Sequence, residues 1–158
     1  MPRVLASTAA VTIEEALEIL ERDLSRHMTA DRASELDLDF LEEALGQRLP
    51  EQFRTFLVRI GGGILYERHE FFGARRLMVH DIELVPDLLS FHRRFVGQGD
   101  WSGPARIPFH RAEGVVHMLD LRPDGEARVV STDGARTYPD LASFLQQVVI
   151  PSVAPDEP

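Results

Sequence analysis

The sequence predicts an α+β fold, a single domain with a mostly antiparallel central sheet flanked by helices. Apolar residues recur at helical spacing over the first sixty residues. Short β-type runs separated by turn residues fill the middle of the chain, and one more helical pattern comes near its end. Because helices and strands are grouped rather than alternating one by one, an α+β class is favoured over repeated βαβ units.

The first helix is predicted to begin after Thr12. Thr12 and Glu15 have the spacing of a capping box, in which each side chain bonds the backbone N–H of the other residue. The apolar residues that follow form one helical stripe, made of Ile13, Leu17, Leu20 and Leu24. The pattern then fades, and residues 25–36 are predicted to be a polar connection.

Two more helices are predicted before the first strand. The second, over residues 38–45, is expected to end at Gly46, because glycine readily adopts the left-handed conformation found past a helix C-terminus. The third begins near Pro50, whose missing N–H costs nothing in a first helical turn. Glycines 61–63 follow this helix, whereas a phosphate-binding glycine loop precedes one. They are therefore predicted to end the helix rather than to bind a phosphate.

The pattern changes to short strands after these glycines. The predicted strands cover residues 64–66, 70–72, 76–79, 106–110, 115–121 and 127–131. Residues 81–95 are predicted to be mostly helical, with Pro86 at the start, and residues 97–104 to be a Gly-rich loop. A turn over residues 122–125 joins the last two strands, and a closing helix runs to about Val149.

Two residue types are absent from the chain, and their absence excludes several kinds of chemistry. Without Cys there is no thiol nucleophile, disulfide or thiolate metal site. Every basic residue other than His is Arg, which excludes a Schiff-base lysine and a P-loop lysine.

The charge balance indicates what kind of partner the chain prefers. Its net charge is −9 with His neutral, which disfavours a nucleic-acid ligand and favours a basic protein. Apolar runs are too short to cross a membrane, and the N-terminus lacks the pattern of a secretory signal. A cytoplasmic protein with no membrane partner is expected.

The central motif reads "LEEALGQRLPEQFRTFLVRIGGG", a helix, an LG pair, an LP pair, an aromatic helix and terminal glycines. Further matching pieces are "ELVPDLLSF", "IPFH", "LDL" before the turn, and "YPDLASFLQQV". In this order they resemble the SUKH superfamily, most of whose members carry Asn-Gly-Gly where this chain has three glycines. The resemblance implies a SUKH-like domain over residues 36–150. The helix and polar connection over 1–35 lie outside it, and residues 151–158 are predicted to be a flexible tail because their apolar content is too low to fold.

The resemblance also implies a function without catalysis or cofactor. Bacterial relatives are largely immunity proteins that bind and neutralise toxin domains, often nucleases or deaminases. Fungal relatives regulate cell-wall synthesis, so a regulatory or scaffold module bound to a housekeeping enzyme is the alternative. The resemblance carries over no catalytic residue. It leaves the oligomeric state open.

Candidate partner-binding residues lie after the glycines and in the later loops. Trp101 stands in the Gly-rich loop and is either an interface anchor or a residue packed on its own domain. Tyr66, Arg68 and His69 are expected near a sheet edge or cleft. Surface carboxylates that would contact a basic toxin are Glu67, Glu70, Asp81, Glu83, Asp100 and Glu113.

The sequence leaves two catalytic alternatives to consider, a metal site and a serine hydrolase. His110 and His117 are expected to face each other across adjacent strands with Asp120 nearby, which allows a metal site, although polar surface residues explain these histidines as well. The chain contains no G-x-S-x-G motif, and Ser131 and Ser143 lie in a predicted strand and helix. No metal, cofactor or catalytic residue is therefore predicted.

Overall fold

Antiparallel strand pairing organises the computed structural model, which describes residues 11–95, 106–123 and 126–151. The strands are β1 (His27–Thr29), β2 (Gly63–Leu65), β3 (His69–Phe71), β4 (Leu77–Val79), β5 (Ile82–Val85), β6 (Arg106–Ala112), β7 (Val115–Leu121), β8 (Ala127–Ser131) and β9 (Thr137–Tyr138). Seven of them form a sheet in the order β1-β2-β3-β6-β7-β8-β9, and β4 and β5 form a separate two-stranded sheet. The predicted α+β class with an antiparallel central sheet is confirmed.

Helices precede, interrupt and follow this sheet. They are α1 (Ile13–Arg22), α2 (Glu35–Leu45), α3 (Glu51–Arg59), α4 (Leu88–Phe95) and α5 (Leu141–Phe144), which continues as a π-helix over Leu145–Val149; a 3₁₀ turn spans Leu24–Arg26. The capping box at α1 is confirmed, since Thr12 Oγ1 accepts from the Glu15 N–H and Glu15 Oε1 accepts from the Thr12 N–H. The left-handed Gly46 ends α2 as predicted.

The helices pack on both faces of the sheet. Neighbouring residues of a strand point to opposite faces. On β6, the ring of His110 lies 5.0 Å from that of Phe144 in α5, whereas the guanidinium of Arg111 lies 5.4 Å from the ring of Phe91 in α4. Helices α1, α3 and α5 contact one another on the first face, and α2 and α4 contact each other.

Aromatic rings fill the interior between α3, α5 and the sheet. Phe109 is buried, and its ring centroid lies 5.8 Å from that of Phe53, 6.0 Å from that of Phe71 and 5.5 Å from that of Phe144. Such contacts combine a large buried apolar area with favourable edge-to-face geometry. This cluster holds the central strands against the helices.

The glycines after α3 end the helix, as predicted, and they also let backbones approach closely. Gly61 and Gly63 have φ of 88° and 127°. A Cβ on Gly63 would lie 2.2 Å from the carbonyl oxygen of Met28 in β1, and one on Gly62 would lie 2.6 Å from the Gly73 nitrogen. The edge strand β1 can therefore pair with β2 only because position 63 has no side chain.

Two predictions need correction, and one short strand was not predicted. The polar connection over residues 25–36 contains β1, and a two-residue strand, β9, precedes the closing helix. Residues 82–85 form β5 rather than helix, because His80 and Asp81 turn the chain with φ of 51° and 65° and β5 pairs back onto β4. The predicted loop over 97–104, part of the turn over 122–125 and residues 152–158 lie outside the described residues.

Among the helices that the structure describes, none has the length and apolar content of a membrane span.

Candidate functional site

Three imidazole rings form a chain across three adjacent strands. His69 lies on β3, His110 on β6 and His117 on β7. His69 Nδ1 is 2.9 Å from His110 Nε2, and His110 Nδ1 is 3.1 Å from His117 Nδ1. The predicted opposition of His110 and His117 is confirmed by the strand register. We refer to these three residues as the histidine chain.

Burial keeps the histidine chain neutral at pH 7. Desolvation lowers the pKa of His69 to about 4, lowers the pKa of His110 well below its usual range, and lowers the pKa of His117 as well. A neutral imidazole carries one N–H and one lone pair, so each ring can donate one bond and accept another. The N–H groups then point the same way along the chain, leaving an outward N–H at one end and an outward lone pair at the other.

A Ser, His and Asp set lies beside this chain, but its geometry differs from that of a serine hydrolase. Ser131 lies opposite His117 in the strand register, yet Ser131 Oγ donates to Asp133 Oδ1 at 2.5 Å rather than to an imidazole. His117 Nδ1 is engaged by His110. Since a nucleophilic serine needs a base that accepts its proton, and the proton here is directed to a carboxylate, this set offers no activated nucleophile.

A cavity of about 370 Å³ opens beside the histidine chain, at the turns that connect the strands. We call it the histidine cavity. Its rim carries the ion pair between Arg68 and Glu113, together with Asp133 and Arg136, while Tyr138 is among its lining residues. The fold thus brings together three of the predicted partner-binding residues, Arg68, His69 and Glu113.

Tyr66 is another predicted partner-binding residue, and the structure places it in the interior. Only 8% of it is exposed. Its hydroxyl donates to Asp23 Oδ2 at 2.7 Å, its backbone N–H donates to His27 Nδ1 at 3.2 Å, and the Arg26 guanidinium lies over its ring. These contacts tie the β2–β3 turn to the segment after α1.

The predicted surface carboxylates lie on other parts of the surface. Glu67 is exposed and borders a second cavity, which also includes Met28 of β1. Glu70 binds Arg111, with 2.6 Å between Oε1 and Nη2. Asp81 and Glu83 are exposed on the β4–β5 hairpin. The structure therefore does not unite these carboxylates into one acidic surface, and Asp100 and Trp101 lie outside the described residues.

The metal alternative does not fit the geometry of the described residues. Asp120 faces Arg106 and Arg128 instead of the histidines, with 2.9 Å between Asp120 Oδ2 and Arg128 Nε. His110 directs its two nitrogens to two different rings. In the ranges that the structure describes, no group of three or more His, Asp or Glu residues is arranged to hold a metal ion.

The sequence did not predict that His69, the third member of the histidine chain, lies next to His110. Strand β3 pairs with β6 across an intervening hairpin and helix, and no local pattern reports that pairing. The available signal was alternation, which puts His69 on the same face of β3 as the apolar Phe71.

Comparisons with known proteins agree on the kind of fold. Residues 32–147 match the model of the SMI1 / KNR4 family (SUKH-1). A crystal structure of a protein from Pseudomonas syringae pv. tomato superposes with a TM-score of 0.60 at 17% sequence identity, covering 85% of this chain and 96% of that one. At this identity the structural likeness shows the fold alone. No curated protein matches the sequence.

Proposed function

Because this chain belongs to the SMI1 / KNR4 family (SUKH-1), we propose that it is a non-catalytic protein-binding module, and specifically an immunity protein that neutralises a bacterial toxin domain. The family match over residues 32–147 is the observation that carries this proposal. The family is generally one of immunity and regulatory proteins rather than enzymes. The engaged Ser131 hydroxyl and the doubly bonded His110 favour the same reading.

The charge of the chain supports a basic partner of nuclease or deaminase type. A net charge of −9 attracts a cationic domain and speeds its encounter. Nucleic-acid enzymes carry basic clefts for their substrate, and carboxylates that occupy such a cleft compete for the same Arg and Lys residues. The exposed Glu67 and Asp81 form no ion pair among the described residues, and the ion pair of Glu83 with Arg76 is long, at 3.8 Å, so all three carboxylates are suited to this contact.

Affinity capture tests the proposal. The tagged full chain is used as bait in lysate of its source cell at moderate salt, and the retained proteins are identified by mass spectrometry. The toxin domain recovered is then produced separately, and its nuclease or deaminase activity is measured with and without the purified chain. We expect stoichiometric capture and loss of the toxin activity at an equimolar ratio. Capture of a cell-wall or metabolic enzyme with no toxin domain would replace the immunity role with the regulatory one.

A charge-reversal variant examines whether the exposed carboxylates of the β2–β3 turn and the β4–β5 hairpin contact the partner. Replacing Glu67, Asp81 and Glu83 together by Arg is expected to weaken binding at least tenfold, mainly through slower association. The matched control reverses three exposed acidic residues of helices α1 and α2, which are Glu18, Asp39 and Glu43. Equal loss of affinity in both variants would assign the effect to net charge and remove these three residues from the interface.

A further inference from the structure

Three buried side chains that line the histidine cavity have a polar atom with no hydrogen-bond partner among the described residues. These atoms are His69 Nε2, His117 Nε2 and the Tyr138 hydroxyl, on residues that are 3%, 7% and 7% exposed. Buried polar groups in folded proteins are nearly always hydrogen-bonded, to protein or to water. Three such residues line one cavity, which indicates that the cavity holds a polar occupant.

The volume of the cavity accommodates more than ordered water. It measures about 370 Å³, whereas one water takes up roughly 30 Å³ of liquid volume. The polar end of a side chain from another protein fits this space together with a few waters.

Asp133 determines the charge of that occupant. Its Oδ1 accepts from Ser131 Oγ at 2.5 Å and from the Ala135 N–H at 2.9 Å, and these bonds lower the pKa of Asp133, which remains a carboxylate. All four charged residues at the rim are exposed, but Arg68, Glu113 and Arg136 have long side chains that can move aside. Two hydrogen bonds hold the Asp133 carboxylate in place. A group already held in place costs less to order on binding, so the carboxylate is the charge that a ligand meets in a fixed position.

We propose that the histidine cavity binds the guanidinium or ammonium group of an Arg or Lys side chain from a protein partner. Asp133, His117 Nε2 and the Tyr138 hydroxyl oxygen are its acceptors. This inference rests on the proposed function, because it assigns the place where the basic partner inserts a side chain.

The bound cation sets the direction of the histidine chain. It requires the lone pair of His117 Nε2, so the proton of that ring sits on Nδ1 and is donated to His110 Nδ1. His110 then donates from Nε2 to His69 Nδ1, and His69 keeps its proton on Nε2. Each ring retains one proton throughout, so the chain stays neutral and only its polarity is fixed.

Protons compete with this ligand. A proton added to the chain turns the acceptor at His117 into a donor and adds a positive charge beside the cation. The charged groups that face the chain are Arg68, Glu113, Asp133 and Arg136, while the closing helix contributes only the apolar Phe144 and Val148. Affinity for a cation is therefore expected to fall on acidification, by at most about tenfold for each pH unit once one proton is taken up.

The test is NMR of the full chain with ¹⁵N-labelled histidine, titrated with n-butylguanidinium chloride or sodium butyrate at constant ionic strength. We expect the guanidinium probe to fix His117 as the Nδ1–H form in a saturable way, and to bind more weakly at pH 4 than at pH 7.5. Asp133→Asn, which keeps an acceptor oxygen for Ser131 and Ala135, is expected to lose about tenfold in affinity, the size of a charge-assisted bond. Tyr138→Phe removes one acceptor and should lose less. The control Asp39→Asn, on the exposed side of α2, should bind like the parent chain.

Several outcomes overturn the proposal. Binding of butyrate instead of the guanidinium, tighter guanidinium binding at low pH, an Asp133→Asn affinity equal to the parent value, or no saturable shift with either probe would each do so. These results are independent of the capture experiment. If the chain captures a toxin partner but its cavity does not bind the guanidinium, the immunity role is still supported and only the assignment of the cavity is removed.

Discussion

A methyl group at Gly63 has no room, because its Cβ would lie 2.2 Å from the Met28 carbonyl oxygen. The residue also has a φ of 127°, where L-amino acids are strained. Gly63→Ala is therefore expected to lower the free energy of unfolding by about 3 kcal/mol or more, from strain and overpacking together. Urea denaturation followed by circular dichroism measures the change.

Gly46→Ala is the matched control for that variant. Gly46 has a φ of 72°, and a Cβ there would have nothing within 4 Å. It should lose only about 1 kcal/mol, the cost of the left-handed conformation. If the two variants lose the same free energy, the close approach of β1 to β2 is not what position 63 requires.

At the scale of single residues, the sequence was sufficient to predict a contact where the two partners are close to each other along the chain. The His110 and His117 opposition follows from one short turn between β6 and β7. The third ring, His69, lies at the site because β3 pairs with β6, about forty residues further along the sequence. Local periodicity does not indicate which distant strands will pair.

Helices α2 and α3 are joined through one carboxylate. Glu42 accepts from the Leu49 N–H at 2.8 Å and from Arg54 Nη1 at 2.7 Å, and it lies largely out of solvent. Burial alone would raise the pKa of Glu42, but the bonds from Leu49 and Arg54 lower it below its usual value. The charged form is therefore the one that stabilises the fold.

Glu42→Gln is expected to lower the free energy of unfolding by about 1–2 kcal/mol at pH 7, because the charge-assisted bond to Arg54 becomes a neutral one. Since the pKa of Glu42 is lowered in the fold, this contribution is present above the unfolded value of 4.5 and is lost as pH falls below it. Denaturant midpoints at pH 7 and pH 3 measure both statements. The exposed neighbour Glu43→Gln serves as control, and a loss at Glu42 that is unchanged at pH 3 would contradict the role of its charge.

At the scale of elements, turn chemistry explains which predictions failed. The glycine stop at Gly46 and the capping box at Thr12 use residues with strong local preferences, and both were predicted. The turn at His80 and Asp81 has positive φ at two residues but contains no Gly or Asn. The sequence therefore gives no hairpin signal here, and the helix prediction extended over β5. Strand β1 is three residues long in a polar stretch, and its place depends on a distant partner, β2.

For the whole molecule, buried histidines make stability depend on pH. Desolvation lowers the pKa of His69 to about 4 from its ordinary 6.5, and it also lowers the pKa values of His110 and His117. The unfolded chain therefore binds more protons than the folded chain between pH 6.5 and about 4. Stability is complete above 6.5 and falls through this window. For His69 alone, the difference corresponds to roughly 3 kcal/mol.

We expect the urea midpoint of the parent chain to fall as pH is lowered from 7 to 4.5. His69→Gln should show a shallower fall, because one of the histidines whose pKa is lowered by burial is gone. Glutamine can donate to or accept from His110, so the variant keeps a partner for that ring. His80→Asn is the control, since His80 is exposed in a turn whose left-handed conformation Asn tolerates. Its pH dependence should follow that of the parent chain. The stabilising contribution of acidic residues such as Glu42 is lost only below pH 4.5. A parent midpoint that stays level down to that pH would therefore mean that the buried histidines already accept protons within the folded chain.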